Sequence, residues 1–307
     1  MSMTPRARII QSPTRRVPPP VHPLRHHAVI IRTHSSEDCT RQLFDLGNGR
    51  LYKLRPHKHG VFESDIHDLI RSATNIPIPT IYYEWVTTEG SNSSGRGGVH
   101  VHHMIMEKVQ GEALHNVWPY LNPQDKGRLV SQLINYLNEL HRITSPSVCA
   151  YNGGPLANDQ GFLFDRGYVT QGPLSDEDSI WLAMTHHLQH SPSNTVQQTL
   201  INLRAIMPDC LPAVLAHMDL RTSNILVRGG NIVGIVGWEH AAFYPRWMED
   251  VKFRYMRSDP ELEFVAAVAN CMTAYPAAIR FMGILTALRS TNPQMVDLAI
   301  AELRNQT

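Results

Sequence analysis

Eight consecutive residues, His217-Met218-Asp219-Leu220-Arg221-Thr222-Ser223-Asn224, carry the spacing H-x-D-x-x-x-x-N. Phosphoryl transfer needs a carboxylate near the attacking hydroxyl and oxygen ligands for the metal that bridges the phosphates. One tight loop of this spacing supplies both, with Asp219 as the base and Asn224 as a metal ligand. The chain continues as Ile225-Leu226-Val227, Arg228-Gly229-Gly230-Asn231 and Ile232-Val233-Gly234-Ile235-Val236. Two short apolar runs around a Gly-Gly turn predict a β-hairpin. A hairpin folds the chain back, so residue 237 is expected near Asn224, where a second metal-binding carboxylate belongs. The residue there is Gly237, which has no side chain to ligate with. Taken alone, Asp219 and Asn224 read as turn and helix caps; the flanking pattern is what points to a site.

The upstream chain supplies the elements that must position this loop. Leu43 to Leu54 reads as two strands around Gly47-Asn48-Gly49, and no G-x-G-x-x-G accompanies them. Glu63-Ser64-Asp65-Ile66-His67-Asp68-Leu69-Ile70 predicts a helix with Ile66, Leu69 and Ile70 on one face. Strands are expected from Ile78 to Val86 and from Val99 to Met106, separated by a Gly/Ser-rich loop. Beyond them the pattern turns helical. Asn122 is a good N-cap, Pro123 suits the first helical position, and Leu129, Val130, Leu133, Ile134, Leu137 and Leu140 form a buried stripe. Residues 151–172 read as a loop. Helices are expected over 176–190, 193–207, 247–257, 261–288 and 293–304. Strands first and helices after imply an α+β protein with two lobes and a ligand cleft between them.

The segment from His217 to Lys252 resembles the aminoglycoside phosphotransferase and choline kinase superfamily, most closely its large fungal branch. Ile76-Pro77-Ile78-Pro79, the run Met104 to Glu112, and Trp118-Pro119 before a helix look like further family landmarks. The resemblance covers roughly residues 45 to 260. It implies a two-lobed protein-kinase-like fold, with a small antiparallel-sheet lobe and a larger helical lobe. It also implies that Lys53 holds phosphates and pairs with Glu63, and that the backbone at Glu107 and Val109 meets an adenine ring. In this family the segment at 237 reads D-W-E, so Glu239 is the family's own Glu and Gly237 stands in place of Asp. Met218 stands where the family has a glycine. Asp250 is a further carboxylate that the sequence does not place.

Bulk properties narrow the partners. The 307 residues carry a net charge of +1 and are 42% hydrophobic, which suits a globular protein and gives no global field for nucleic acid. No apolar run reaches the roughly 20 residues needed to span a membrane. The start lacks the apolar core of a secretory signal. Cys39, Cys149, Cys210 and Cys271 have no paired spacing, which points to reduced thiols in the cytoplasm. Residues 1–36 read as a basic, Pro-rich tail, 37–110 as the sheet lobe, and 111–307 as the helical lobe with the loop at 217–224. His100 and His102 would share one face of a strand; a metal pair and solvated histidines are the alternatives.

Three functions remain open. In the first, Asp219, with His217 close by, acts as general base on a small organic molecule, with no cofactor required. The fungal branch commonly accompanies secondary metabolism, which agrees with such a substrate. The second is ATP- and magnesium-dependent phosphorylation of a small molecule, using Asn224 and an altered metal site. The third is a non-catalytic, pseudokinase-like binding protein. Asp259, Glu261 and Glu263 mixed with Arg254 and Arg257 do not make the acidic wall that an antibiotic polycation requires. Oligomeric state is not readable from the chain.

Overall fold

The computed structural model describes residues 16–19, 29–36, 39–57, 62–89, 99–156, 162–165, 169–170, 172–255 and 261–304. Most of the tail, most of the Gly/Ser-rich loop and the segment holding Arg257 and Asp259 lie outside these residues. The elements in chain order are β1 (Val29–Ser36), β2 (Cys39–Gly47), β3 (Arg50–Pro56), α1 (Glu63–Ala73), β4 (Ile81–Glu89), β5 (Val99–Glu107), β6 (Glu112–Ala113) and α2 (Leu114–Val117). They continue as α3 (Pro123–Leu140), β7 (Thr144–Ser145), β8 (Cys149–Ala150), α4 (Glu177–Met184), α5 (Asn194–Ala205), β9 (Ala213–Ala216), β10 (Ile225–Arg228) and β11 (Asn231–Ile235). The last are β12 (Ala242–Tyr244), α6 (Met248–Tyr255), α7 (Leu262–Ala269), α8 (Pro276–Leu288) and α9 (Pro293–Arg304). The protein is α+β and divides into two compact units, Met1–Leu121 with Ser223–Val236 and Asn122–Thr222 with Gly237–Thr307.

The first unit is built on an antiparallel sheet ordered β1-β2-β3-β5-β4. Its first strand lies inside the stretch expected to be tail. The strand that opens with the β-branched run Val29-Ile30-Ile31 pairs with β2 from Val29↔Asp45 to Ser36↔Cys39, with an irregularity between Ile30 and Arg32, against the Arg/Pro-rich composition of its surroundings. The unit also runs past residue 110, because Glu112 and Ala113 pair with Val227 and Leu226 of β10. The 225–235 hairpin therefore belongs to the first unit, in a separate three-stranded sheet ordered β11-β10-β6, and the 217–224 loop is divided after Thr222. Gly111 permits this pairing: a Cβ there would lie 2.8 Å from Val233 Cγ2 and 3.0 Å from the Val227 carbonyl oxygen.

Helix α1 begins at Glu63, where its N-cap residue Phe62 offers no side-chain cap. The orphan amides go instead to a buried carboxylate. Glu63 N donates to Glu84 Oε1 at 2.7 Å and Ser64 N to Oε2 at 3.0 Å. His102 closes the arrangement at 2.8 Å from Glu84. The β5 histidines are thus neither a metal pair nor a solvated row. His102 is buried on Glu84, and His103 is buried and stacked on Trp85 at 4.9 Å with Tyr52 Oη 2.7 Å from Nδ1. His100 stays exposed.

In the second unit Asn122 caps α3 by accepting from Asp125 N at 2.9 Å. Leu129, Val130, Leu133, Leu137 and Leu140 are buried as the stripe requires, whereas Ile134 is half-buried. A four-stranded sheet ordered β7-β9-β12-β8 carries the loop that follows β9. Two expected helices are shorter than their patterns. The 261–288 run divides into α7, which ends at Ala269, and α8, which starts at Pro276; the proline suits the first helical position and holds Tyr275 out of helical geometry, at φ −121° and ψ 70°. The run after α4 ends in turns that Gln197 Nε2 holds through the carbonyls of Leu188, Gln189 and Ser191.

Candidate functional site

β9 is buried at every position and delivers the chain into His217. The next three residues are fixed through their backbone. Glu249, buried on α6, accepts from His217 N at 2.6 Å through one oxygen and from Met218 N at 2.9 Å through the other. Lys252, one turn further on α6, donates to the Met218 carbonyl. Asp219 N donates to His217 Nδ1 at 3.1 Å. Thr222 then gives its amide (2.9 Å) and hydroxyl (2.6 Å) to Glu261 Oε1.

This frame fixes the backbone at Met218. Met218 has φ +63°, the left-handed region that side chains disfavour. Its amide and carbonyl are both committed to α6, so the backbone cannot relax to a commoner conformation without losing those bonds. Its side chain is buried.

Asp219 keeps 18% of its side chain exposed and lies 2.8 Å from the Arg221 guanidinium. His217, by contrast, is fully buried, with its ring 4.4 Å from that of Trp238. Its Nδ1 accepts from Asp219 N, so the ring expected to be catalytic is packed inside the loop and bonded to the backbone of Asp219. Asp250 is also accounted for: it is buried on Arg254 at 2.8 Å, within the helical packing.

The electrostatics follow from burial. Burial pushes the Glu249 carboxyl up, but the imidazoles of His141 and His217 and the Met218 amide outweigh it and hold it below the usual range. Burial pushes the Lys252 ammonium down to about 8; the charges of Asp219 and Glu249 oppose that shift and Arg221 adds to it.

Lys53, Glu63, Glu107, Val109 and Asn224 belong to the first unit. Lys53 Nζ pairs with Glu63 at 3.1 Å, and Arg55 and His67 each stand 3.9 Å from the same carboxylate. At the end of β5, Glu107 accepts from Thr80 N through Oε2 at 3.0 Å, Lys108 N donates to the Gly49 carbonyl at 2.8 Å, and Val109 packs on Gly234. The hairpin makes the expected return: Ile225 pairs with Ile235, and Val236 N donates to the Asn224 carbonyl at 2.9 Å. Gly237 follows directly. It has φ +85° and opens the turn Trp238–His240.

Magnesium takes oxygen ligands, usually one or two carboxylates beside carbonyls, waters or substrate phosphates. The motif offers the neutral carboxamide of Asn224 and, at 237, nothing. Among the described residues no group of three His, Cys, Asp or Glu could hold a metal ion.

Sequence reasoning missed Glu249, Lys252, Arg221, Glu261 and Glu84. The spacing of Glu249 and Lys252 puts them on one helix face, but a Glu and a Lys at that spacing ordinarily mark a solvated face.

The fold has solved counterparts. A thermostable mutant of aminoglycoside phosphotransferase APH(4)-Ia, in a ternary complex with ADP and hygromycin B, aligns with a TM-score of 0.51 at 17% identity, over 90% of this chain and 93% of that one. Another mutant of the same enzyme, with AMP-PNP and hygromycin B, aligns with a TM-score of 0.51 at 17% identity, over 91% and 92%. Likeness at this identity speaks to the kinase-like fold alone. No curated protein matches the chain. The sequence profile described as phosphotransferase enzyme family matches residues 50–288, most of the chain and all of the loop and hairpin: the protein belongs to the phosphotransferase enzyme family.

Proposed function

We propose that this protein is a cytoplasmic small-molecule enzyme in which Asp219 acts as a general base without a metal ion. The observation that supports it most is a contrast within one motif. The base is retained, partly accessible, on a loop whose backbone is bonded at His217, Met218 and Asp219. The second metal position is Gly237. Asp219 takes a proton from an O–H, N–H or activated C–H of the substrate, and the buried Lys252 charge lies close enough to interact with it. Proton abstraction of this kind suits a cyclisation, isomerisation or elimination. The resemblance to the fungal branch points to secondary metabolism as the source of the substrate.

A second reading, an ATP-dependent phosphotransferase with an altered metal site, is favoured by the Lys53–Glu63 pair. Thermal shift with ATP, with magnesium and with both separates the two. The metal-free reading expects no magnesium-dependent gain with ATP, and such a gain sinks it. Once a substrate is in hand, Asp219→Asn should abolish turnover; undiminished turnover removes Asp219 as the base.

A further inference from the structure

Charged groups surround the loop after β9, and most of them are committed to its backbone. Glu249 holds two amides, Lys252 a carbonyl, and Glu261 an amide and a hydroxyl. Arg221 is different. Its partner is the side chain of the candidate base: Nη2 lies 2.8 Å from Asp219 Oδ1. The side chain is 41% exposed, while its Nε is buried and has no hydrogen-bond partner among the described residues. A guanidinium carries five N–H donors in a planar fork that fits a carboxylate or phosphate through two parallel bonds. The pair with Asp219 leaves most of that fork unused. As an ion pair without a hydrogen bond, it also sets a cation against the Asp219 oxygen that must accept the substrate's proton.

We propose that Arg221 binds an anionic group of the substrate, a carboxylate or a phosphate, and that this exchange of partners frees Asp219 Oδ1 to act as the base. The proposal rests on the reading of Asp219 as a general base and names its substrate class. An anionic substrate forms the bidentate pair that Arg221 lacks and switches the base on, whereas a neutral or cationic molecule leaves the Arg221–Asp219 pair closed. No covalent step is involved. The proton passes from substrate to Asp219, and Arg221 stays charged throughout.

The test measures binding by calorimetry in EDTA, with three probes: citrate for carboxylates, and pyrophosphate and ATP for phosphates. Wild type is compared with Arg221→Ala, Arg221→Lys and Asp219→Asn. At least one probe should bind wild type. Arg221→Ala should weaken it about tenfold or more, as expected for losing charge-assisted hydrogen bonds, and Arg221→Lys less. Asp219→Asn should tighten binding, because it removes the competing carboxylate; a merely structural Arg221 gives no such gain. Citrate alone responding identifies a carboxylate substrate, and pyrophosphate or ATP alone a phosphate. No binding of any probe, equal binding to Arg221→Ala with an unchanged melting temperature, or no gain in Asp219→Asn each overturns the proposal. The metal-free reading fails separately, on a magnesium-dependent gain with ATP, which measurements in EDTA do not contain.

Discussion

The Lys252 ammonium donates to the carbonyl of Met218, a residue whose backbone sits at φ +63°. The bond joins a buried cation to a backbone conformation that a methionine does not choose by itself. Glu249 completes the frame from the amide side. Together they hold the residue before Asp219 in a left-handed conformation.

Met218 sets two terms against each other. Relieving a left-handed residue gains about 1–2 kcal/mol, while truncating a buried methionine costs about 2–5 kcal/mol. Burial wins, so both truncations destabilise. Met218→Ala keeps the strain and loses about 3 kcal/mol; Met218→Gly loses only about 1–2 kcal/mol. Urea unfolding should therefore rank glycine above alanine, the reverse of the usual order. An alanine variant at least as stable as the glycine one would show that no strain resides there.

Glu249→Gln replaces an acceptor of two amides by a group that can accept through one oxygen only and turns its own NH2 toward the other donor. A buried amide left unpaired near the uncompensated Lys252 charge costs about 2–4 kcal/mol. The measurement is the urea midpoint, and an unchanged midpoint contradicts the role assigned to Glu249.

Gly237→Asp should be tolerated. Aspartate is among the side chains that accept φ > 0, so the loss at φ +85° should stay at about 1 kcal/mol. The variant should acquire a magnesium-dependent thermal shift with ATP that wild type lacks. A well-folded Gly237→Asp protein with no such shift means that the missing carboxylate is not what separates this site from a kinase's.

The first unit should weaken in mild acid. Burial pushes His67 down to about 4, Arg71 adding to that while Glu63 and the bond to the Pro79 carbonyl oppose it. Unfolded, the same imidazole takes a proton near 6.5. The unfolded state therefore binds the proton first as pH drops. The contribution is complete above about 6.5 and is lost between about 6.5 and 4, amounting to about 3 kcal/mol for this fully buried group. His57, lowered by burial and by His102 and Arg55, adds in the same direction. Glu84, lowered from 4.5 to about 2, adds its own loss only as pH falls below about 5, so the slope between about 6.5 and 5 reports the histidines. Denaturation curves from pH 7 to 4.5 should show the slope, and His67→Gln should flatten it.

Legibility tracked the range of the interaction. The Lys53–Glu63 pair spans ten residues across a strand and the first turn of a helix, and the family resemblance implied it. The hairpin return to Asn224 was readable because turn residues and short apolar runs determine it locally. The strand Val29–Ser36 was not, because its basic, Pro-rich neighbours hide a β-branched run whose partner strand decides its structure. The helix break before Pro276 was present in the sequence as a proline and was overridden there by apolar periodicity.

What the sequence by itself determined is the inventory of the motif: the carboxylate at Asp219, the carboxamide at Asn224, the hairpin that leads to residue 237, and the glycine at that position. Each of these depends on spacing within one local segment. Only the tertiary structure decided how Asp219 is held and what it touches. The Glu249 and Lys252 contacts to the loop reach across 31 to 34 residues, and Glu84 caps α1 from 20 and 21 residues away. Such partners are chosen by which buried carboxylate packing places against which orphan amide. The Arg221–Asp219 pair is close in sequence, but it too needed the structure, because a two-residue spacing on a tight turn does not say whether two side chains meet.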